Sequence, residues 1–159
     1  MTLHSATRVG HVHLKVSDLE QAIAFYSGIL GFEITQRYGP QAAFLSAGGY
    51  HHHIGLNTWD SKGGKAPPPG TTGLYHTAFL FPDRKALANV LKRIVEAGWP
   101  LTGAADHGVS EAIYLDDPDG NGVELYWDRD AALWPRDGAG NLMMGNAALD
   151  LGKLLSEAG

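Results

Sequence analysis

The 159-residue sequence contains no cysteine. This absence excludes a disulfide framework, thiolate zinc sites, cysteine-ligated iron–sulfur clusters and a cysteine nucleophile. The sequence also lacks any uncharged apolar stretch of the roughly 20 residues that span a bilayer, and residues 1–10 lack the charged start and apolar run of a signal peptide. We therefore expect a cytoplasmic protein without a membrane partner.

Positive charge is also scarce, since 12 lysines and arginines stand against 17 aspartates and glutamates, for a formal net charge of -5. A surface that binds nucleic acid by neutralising phosphates needs a basic stripe, and the sequence contains none. We therefore expect no nucleic-acid partner. Glycine and histidine are abundant instead, with 21 and 8 residues, and most of the histidines are clustered. The histidine clusters are the segments in which we look for chemistry.

The sequence contains the same pattern of elements twice. His11 begins a segment in which polar and apolar residues alternate, as in a half-buried strand, and a helix start follows at Asp18. His76 and Asp83 repeat this pair with the same seven-residue spacing, which indicates an internal repeat. Each predicted helix carries an apolar stripe, which runs to Val95 in the second, and ends at a glycine. Short strands are predicted at residues 32–38, 42–46 and 51–58 in the first repeat, and at 112–115 and 123–127 in the second.

These patterns predict an α+β fold in a single domain over residues 1–159. Two βαβββ modules would form a cupped mixed β-sheet with helices on its outer face. A C-terminal tail helix is predicted over about residues 147–157, and the tail would either close one end of the fold or contact a second subunit. The predicted parts are module one at about 8–58, a linker at about 59–73, module two at about 74–128 and the tail at 129–159.

Three side chains lie opposite the apolar faces of their predicted strands. The alternation places His11, His76 and Glu124 on one sheet surface, the polar surface that helices leave uncovered. Two imidazoles and a carboxylate suit a divalent metal such as Fe(II), Mn(II) or Zn(II). Most single histidines have no ligand role. Here, however, all three side chains fall on the same sheet surface, and the two histidines occupy equivalent positions in the repeats, which favours a metal site.

Three segments resemble a known family: GHVHLKVSD at residues 10–18, YHTA at 75–78 and DPDGNGVEL at 117–125. They are similar to the vicinal-oxygen-chelate proteins, also called the glyoxalase/bleomycin-resistance/extradiol-dioxygenase superfamily. The resemblance covers residues 8–129, and the aspartate–proline turn that leads into a strand glutamate is its most specific part. The metal ligands that it implies are His11, His76 and Glu124, in agreement with the alternation.

The first module indicates a branch of this superfamily. Glyoxalase-like and epimerase-like members carry a fourth, carboxylate ligand on the strand that corresponds to residues 50–57, and this segment contains no Asp or Glu. Three ligands on one face leave positions for a bidentate substrate and dioxygen, as in non-haem Fe(II) oxygenases. The sequence thus resembles one-domain type I extradiol dioxygenases. The resemblance implies Fe(II), or Mn(II), dioxygen as co-substrate, a catechol-type substrate and a homodimer.

The resemblance also implies an acid–base histidine within residues 51–53. Alignment of the apolar end of this segment with extradiol enzymes selects His52. In a regular strand, His51 and His53 would lie on the same face as Gly55, and His52 would lie on the opposite face. A β-bulge would reconcile this alternation with the alignment that selects His52. His53 is therefore the second candidate.

Further residues are implied around the substrate. Tyr114 corresponds to a tyrosine that hydrogen-bonds a substrate oxygen, and an ordinary strand aromatic is the alternative. His107 resembles another active-site histidine, although its spacing to Tyr114 is shorter than usual, and a plain loop histidine is the alternative. His13, on the same strand face as His11, is a further candidate for substrate binding or for support of the ligands.

The expected activity is Fe(II)-dependent extradiol cleavage of a catechol-type ring. His52 would act as general base and later as proton donor, while Tyr114 would stabilise a developing oxyanion. Two alternatives stay open. One is a non-oxidative metal-dependent enzyme of the same superfamily, a thiol transferase or lyase with the same ligands, and the other is a metal-free protein that binds an aromatic drug.

Overall fold

The computed structural model describes residues 2–159, and the chain divides into two compact units between Ala66 and Pro67. Each unit contains one mixed β-sheet and its own helices, which confirms the α+β class. Within residues 2–159 no helix combines the length and the apolar character needed to cross a membrane.

The first unit has a four-stranded sheet in the order β1-β4-β3-β2. Strands β1 and β4 are parallel, and the other neighbouring pairs are antiparallel. The helix that follows β1 continues as a π-helical segment before the chain enters β2. The elements are β1 (Val12–Lys15), α1 (Leu19–Ile23), the π-helical segment (Ala24–Ile29), β2 (Glu33–Tyr38), β3 (Ala42–Ser46) and β4 (Ile54–Asn57).

Helix α1 begins where the sequence predicts. The Asp18 carboxylate accepts a hydrogen bond from the backbone N–H of Gln21 at 3.0 Å, which satisfies an N–H group that has no partner within the helix. Phe25 and Tyr26 in the π-helical segment are almost fully buried. Gly31 follows with a φ of 95°, a left-handed conformation that glycine adopts at low cost at a helix end. The predicted helix limits are therefore confirmed, although its second half is π-helical.

The predicted strand over residues 51–58 is wrong at its start, because β4 begins only at Ile54. His53 keeps two backbone hydrogen bonds to the neighbouring strands, from its N–H to the Leu45 carbonyl and from Val12 N–H to its own carbonyl. The rings of His51 and His52 contact each other, with centroids 4.5 Å apart. A regular strand would point these neighbouring side chains to opposite faces, so the backbone bends here instead.

The second unit repeats the topology of the first. Its sheet has the order β5-β8-β7-β6-β9, in which the first four strands correspond to β1-β4-β3-β2, with the same parallel first pair. This correspondence confirms two βαβββ modules. The elements are β5 (His76–Leu80), α2 (Arg84–Glu96), β6 (Gly103–Asp106), β7 (Ser110–Asp116), β8 (Gly122–Asp128), a 3₁₀ turn (Ala131–Leu133), β9 (Ala147–Ala148) and α3 (Leu151–Leu155).

Helix α2 has the predicted start and one wrongly predicted core residue. Asp83 caps it by accepting a hydrogen bond from the N–H of Ala86 at 2.7 Å. Its core-facing stripe is completed at Ile94, which is fully buried, whereas Val95 is 53% exposed. One residue corresponds to about 100° around a helix, which turns Val95 away from the sheet.

The tail forms less helix and more sheet than predicted. Helix α3 spans only Leu151–Leu155, because Ala147 and Ala148 pair with β6 as the short strand β9. Leu154 is fully buried, and α3 packs against α2. Strands β6 and β9 were not predicted, since they consist of glycine, alanine and one aspartate and show no apolar alternation.

A network of charged side chains links the elements of the second unit. The buried carboxylate of Glu111 contacts Arg84 Nε at 2.7 Å and Arg129 Nη2 at 2.8 Å. Arg129 also holds the Asp106 carboxylate through two hydrogen bonds, of 2.7 and 2.8 Å. Arg84 makes a further ion pair with Glu157 beyond α3. The network thus connects α2, β6, β7 and the tail.

The Arg129–Asp106 pair predicts a stability effect that depends on pH. The hydrogen bonds from Arg129 lower the pKa of the Asp106 carboxyl below its ordinary value, against the opposing effect of burial. The pair therefore stabilises the fold fully above the unfolded pKa of about 3.9, and this contribution is lost as the pH falls through the lower folded-state pKa. Asp106→Asn is expected to reduce the free energy of unfolding at neutral pH by about 1–2 kcal/mol, because the pair is partly exposed.

Urea unfolding at neutral pH and at successively lower pH measures this effect. The difference between wild type and Asp106→Asn should shrink in acid, while the same substitution at the exposed Asp60 should change little at any pH. A difference that does not shrink as the pH falls contradicts the ion-pair account.

Candidate active site

The second unit contains an open pocket with a volume of about 540 Å³, lined in part by His76, His107 and Tyr114. Two predicted ligands meet beside it, where Nε2 of His76 lies 2.8 Å from Oε2 of Glu124. The side chains of His76 and Glu124 are 32% and 14% exposed, so solvent reaches the pair only in part. The structure thus brings an imidazole nitrogen and a carboxylate oxygen together, as the sequence predicts for this module.

Two local features place Glu124 opposite this histidine. The Asp117 carboxylate accepts hydrogen bonds from the backbone N–H groups of Asp119 and Asn121, which fixes the turn that enters β8. Gly122 then pairs with His76 in the parallel β5–β8 ladder. A Cβ atom at Gly122 would lie 2.3 Å from the carbonyl oxygen of Tyr75, so only glycine permits this approach of the two strands.

Tyr114 is the direct neighbour of Glu124 across the β7–β8 pair. Its hydroxyl donates a hydrogen bond to Oε1 of Glu124 at 3.1 Å. Burial, together with the charge of Glu124 and this hydrogen bond, raises the pKa of Tyr114 to about 12. Tyr114 therefore carries its proton near neutral pH and can act as a hydrogen-bond donor.

His107 completes a chain of contacts in the second unit. Its Nε2 lies 2.7 Å from the Tyr114 hydroxyl, and its Nδ1 lies 2.8 Å from the carbonyl oxygen of Gly145. The β6–β7 connection is tight, because the N–H of His107 already bonds to the carbonyl of Ser110. The short spacing from His107 to Tyr114 therefore brings the two side chains into contact, as residues of one site.

The first unit contains a histidine cluster. The rings of His11 and His52 lie 4.4 Å apart, and Phe44 packs against His52 with ring centroids 5.0 Å apart. Burial lowers the pKa of His52, and the neighbouring charges of His11 and His51 lower it further. His52 is therefore held toward its neutral, proton-accepting form.

His53 has other partners than His52. Its Nδ1 accepts a hydrogen bond from Ala47 N–H at 3.3 Å and lies 3.0 Å from the Ser46 hydroxyl. Its ring packs against Tyr50, with centroids 4.9 Å apart. Of the two candidates, His52 is thus the one whose ring contacts His11.

The sheet registers show which residue of the first unit stands at the position equivalent to Glu124. In the second unit, Glu124 lies between Tyr114 and Ala78 in the ladder. The equivalent row of the first unit places Gly55 between Phe44 and His13. A Cβ at Gly55 would lie only 2.8 Å from the His13 ring. His13 therefore occupies the space beside the position where a carboxylate would stand, and burial lowers its pKa, as does the charge of His11.

The donor set agrees with a divalent cation in chemical type. Imidazole and carboxylate are the ligand types of non-haem Fe(II) and Mn(II) sites, and His76 and Glu124 already converge. Neither unit by itself, within the described part of the chain, gathers three histidine or carboxylate side chains that could hold a metal. His11, the repeat equivalent of His76, is the remaining predicted ligand and lies directly before β1.

Three contact residues of the site were not predicted from the sequence. Phe44 could have been found by aligning the two repeats, because it stands at the register position of Tyr114. Ser46, which contacts His53, is the last residue of a correctly predicted strand but carries no motif. Gly145 acts through its backbone, so its sequence context carries no signal of this contact.

Residues 8–125 match the Glyoxalase/Bleomycin resistance protein/Dioxygenase superfamily. Catechol-2,3-dioxygenase of Bacillus subtilis (strain 168) is 41% identical over 158 residues, which cover 99% of this chain and 54% of that protein. Biphenyl-2,3-diol 1,2-dioxygenase 3 of Rhodococcus globerulus is 33% identical over 123 residues, covering 76% of this chain and 63% of that protein. The chain thus spans about half to two thirds of the length of these relatives.

A crystal structure shows the same fold. The glyoxylase/bleomycin resistance protein/dioxygenase domain from Frankia sp. EAN1pec is 25% identical and has a TM-score of 0.64, with 79% of this chain and 100% of that chain covered. The repeated βαβββ topology, the His76–Glu124 pair and these similarities agree with one another. The chain belongs to the Glyoxalase/Bleomycin resistance protein/Dioxygenase superfamily.

Proposed function

We propose that this protein is an Fe(II)-dependent extradiol dioxygenase that opens a catechol-type ring with both atoms of dioxygen. The observation that carries this proposal is the contact of His76 with Glu124 beside a Tyr114 hydroxyl donor. The similarity to catechol-2,3-dioxygenase and biphenyl-2,3-diol 1,2-dioxygenase 3 supports the reaction and the aromatic diol as substrate class. We further propose that it acts as a cytoplasmic homodimer on a small-molecule substrate.

The residues proposed to hold the metal are His11, His76 and Glu124. The convergence of His76 and Glu124 supports two of them. The equivalent position of His11 in the repeat supports the third, and Gly55 in the row equivalent to Glu124 supports a set without a fourth ligand of the carboxylate type. A bound Fe(II), or Mn(II), supplies the Lewis acidity and the redox chemistry with dioxygen that these side chains lack.

His52 is the proposed acid–base residue. Its half-buried ring lies against His11 and Phe44, so it would stand close to a substrate hydroxyl held at His11. A histidine in this position can accept the proton of the hydroxyl as a general base and later donate a proton as the product forms. His53 is the less favoured candidate, because its Nδ1 is already hydrogen-bonded to the Ala47 backbone.

Tyr114 is proposed to stabilise negative charge on a substrate oxygen. Its hydroxyl keeps its proton near neutral pH and points to the Glu124 carboxylate, so it can donate to an anionic oxygen beside that group. His107 is proposed to support Tyr114 through the 2.7 Å contact of its Nε2 with the hydroxyl. His13, whose ring lies beside Gly55, is proposed to line the substrate site next to His11.

Oxygen consumption tests the proposal. Protein loaded with Fe(II) under anaerobic conditions is offered catechol, methylcatechol and dihydroxybiphenyl, with His11→Ala as the control. We expect oxygen uptake with a yellow ring-opened product, lost in the control because a metal ligand is removed. Iron binding without oxygen uptake from any diol would contradict the proposal and favour a non-oxidative activity of the superfamily. Protein that retains no metal would instead favour an aromatic-binding protein.

A further inference from the structure

We infer that the tail at residues 145–148 positions Tyr114 by fixing the imidazole of His107, which makes the tail a positioning element of the candidate active site. The hydrogen-bond part of this inference stands on the contacts within the second unit. Its consequence for turnover rests on the proposed function. The tail therefore has a role in the site beyond closing the end of a sheet.

His107 and Gly145 are joined by two hydrogen bonds. The N–H of Gly145 donates to the His107 carbonyl at 2.9 Å, and the Gly145 carbonyl oxygen lies 2.8 Å from Nδ1 of the imidazole. A carbonyl oxygen can only accept a hydrogen bond, so Nδ1 must carry a proton in this arrangement. The tail backbone thus selects both the orientation and the tautomer of the ring.

The other ring nitrogen, Nε2, faces the hydroxyl of Tyr114. Nε2 of His107 lies 2.7 Å from the Tyr114 hydroxyl oxygen, which also lies 3.1 Å from Oε1 of Glu124. In the tautomer with Nδ1 protonated, Nε2 accepts, so the single hydroxyl proton of Tyr114 lies between two acceptors, Nε2 of a ring that the tail fixes and Oε1 of Glu124. A shift of the Gly145 carbonyl would release the ring and, through it, the hydroxyl.

The Gly145 carbonyl is itself held on both sides along the chain. Toward the C-terminus, Ala147 and Ala148 pair with Asp106 and Ala105 in the β6–β9 ladder. Toward the N-terminus, the N–H of Met143 donates to the Pro135 carbonyl at 2.8 Å. These backbone contacts make the tail a defined support for the His107 ring.

Apolar burial does not explain why β9 is present. The strand is two residues long, and both of its alanine side chains are exposed. Burial of the tail occurs further on, at Leu154 in α3. What β9 and Gly145 add to the unit is backbone hydrogen bonding to β6 and to His107, which is what a positioning element requires.

The first test reads the His107 ring directly. Nitrogen NMR of protein with ¹⁵N-labelled histidine is expected to show a protonated Nδ1 for His107, assigned by its loss in His107→Gln. Gly145→Pro removes the N–H donor to His107 and should mobilise the ring, so that the fixed Nδ1–H signature is lost. Gly145→Ala is the matched control, because a Cβ there meets nothing within 4 Å and the glycine does not have a positive φ.

The second test measures turnover in the same variants. Gly145→Pro is expected to lower kcat by about 10–100-fold with KM changed less than about threefold, since removal of an outer support typically has an effect of this size. Gly145→Ala should match wild type. In a double-mutant cycle, Gly145→Pro should add little to His107→Gln, because both break the same chain of contacts.

The outcomes separate this inference from the proposed function. If no diol is turned over but Nδ1 is protonated in wild type and released in Gly145→Pro, the tail's control of His107 is supported and the dioxygenase proposal fails. If turnover occurs but Nδ1 is unprotonated in wild type, the inference is overturned. Equal kcat in wild type and Gly145→Pro, or full additivity with His107→Gln, overturns it as well.

Discussion

Glu124→Gln is expected to lose tightly bound iron and to reduce ring cleavage by about a thousandfold or more. The substitution keeps the size of the side chain but replaces an anionic metal ligand with a neutral amide, and the several kcal/mol of charge stabilisation that a metal supplies would be lost. It also removes the negative partner of His76 and of the Tyr114 hydroxyl. Iron content after gel filtration and oxygen uptake with catechol measure the two effects.

The matched control for this prediction is Glu96→Gln, at the exposed last residue of α2. It should retain both iron and turnover at wild-type levels. If Glu124→Gln binds iron with unchanged stoichiometry and opens the ring at the wild-type rate, Glu124 is not a ligand and the proposed metal site is wrong.

His52→Gln is expected to lower kcat by about 10²–10⁴-fold while the protein keeps its iron, because a general acid–base group is lost and no ligand is removed. His53→Gln should have a smaller effect, since His53 contacts Ser46 and the Ala47 backbone, whereas His52 contacts His11. The measurements are steady-state oxygen uptake and iron content for both variants.

The same substitution at His4, an exposed residue outside the cluster, provides the control for losing a histidine as such. A larger loss in His53→Gln than in His52→Gln would transfer the acid–base role to His53. If neither variant slowed turnover, a metal-only mechanism without a histidine base would be favoured.

The repeated module is the part of the fold that the sequence predicted best. Asp18 and Asp83 are helix N-caps as expected, because the capping residue and the apolar stripe are both local signals. The strands in the second half that carry Tyr114 and Glu124 were also found, although β7 was predicted three residues too short and β8 two residues too short. Strand β3 was predicted with its observed limits at Ala42 and Ser46.

The elements that were missed depend on long-range pairing. Strands β6 and β9 contain almost only small residues, so their identity follows from backbone pairing with neighbours and not from side-chain periodicity. The tail helix was predicted too long for the same reason, since alanines that favour helix are recruited into the sheet. Propensity is a weak signal when a neighbouring strand edge is available.

The candidate site shows the same division. Alternation and repeat spacing identified His76 and Glu124, which the structure brings within 2.8 Å of each other. Strand alternation does not apply at His51–His53, because the backbone bends there before β4 begins at Ile54. The link from the tail to His107 is made by a backbone carbonyl, which no residue type in the sequence could reveal.

Incorporation of isotopic oxygen tests the central claim most directly. Fe(II)-loaded protein is reacted with catechol under ¹⁸O₂, and the ring-opened product is analysed by mass spectrometry. An extradiol dioxygenase places both atoms of one dioxygen molecule in the product, so we predict a mass increase of two labelled oxygens, absent with Glu124→Gln. Product without label, or unreacted catechol despite bound iron, would contradict the claim that this protein is a ring-cleaving dioxygenase.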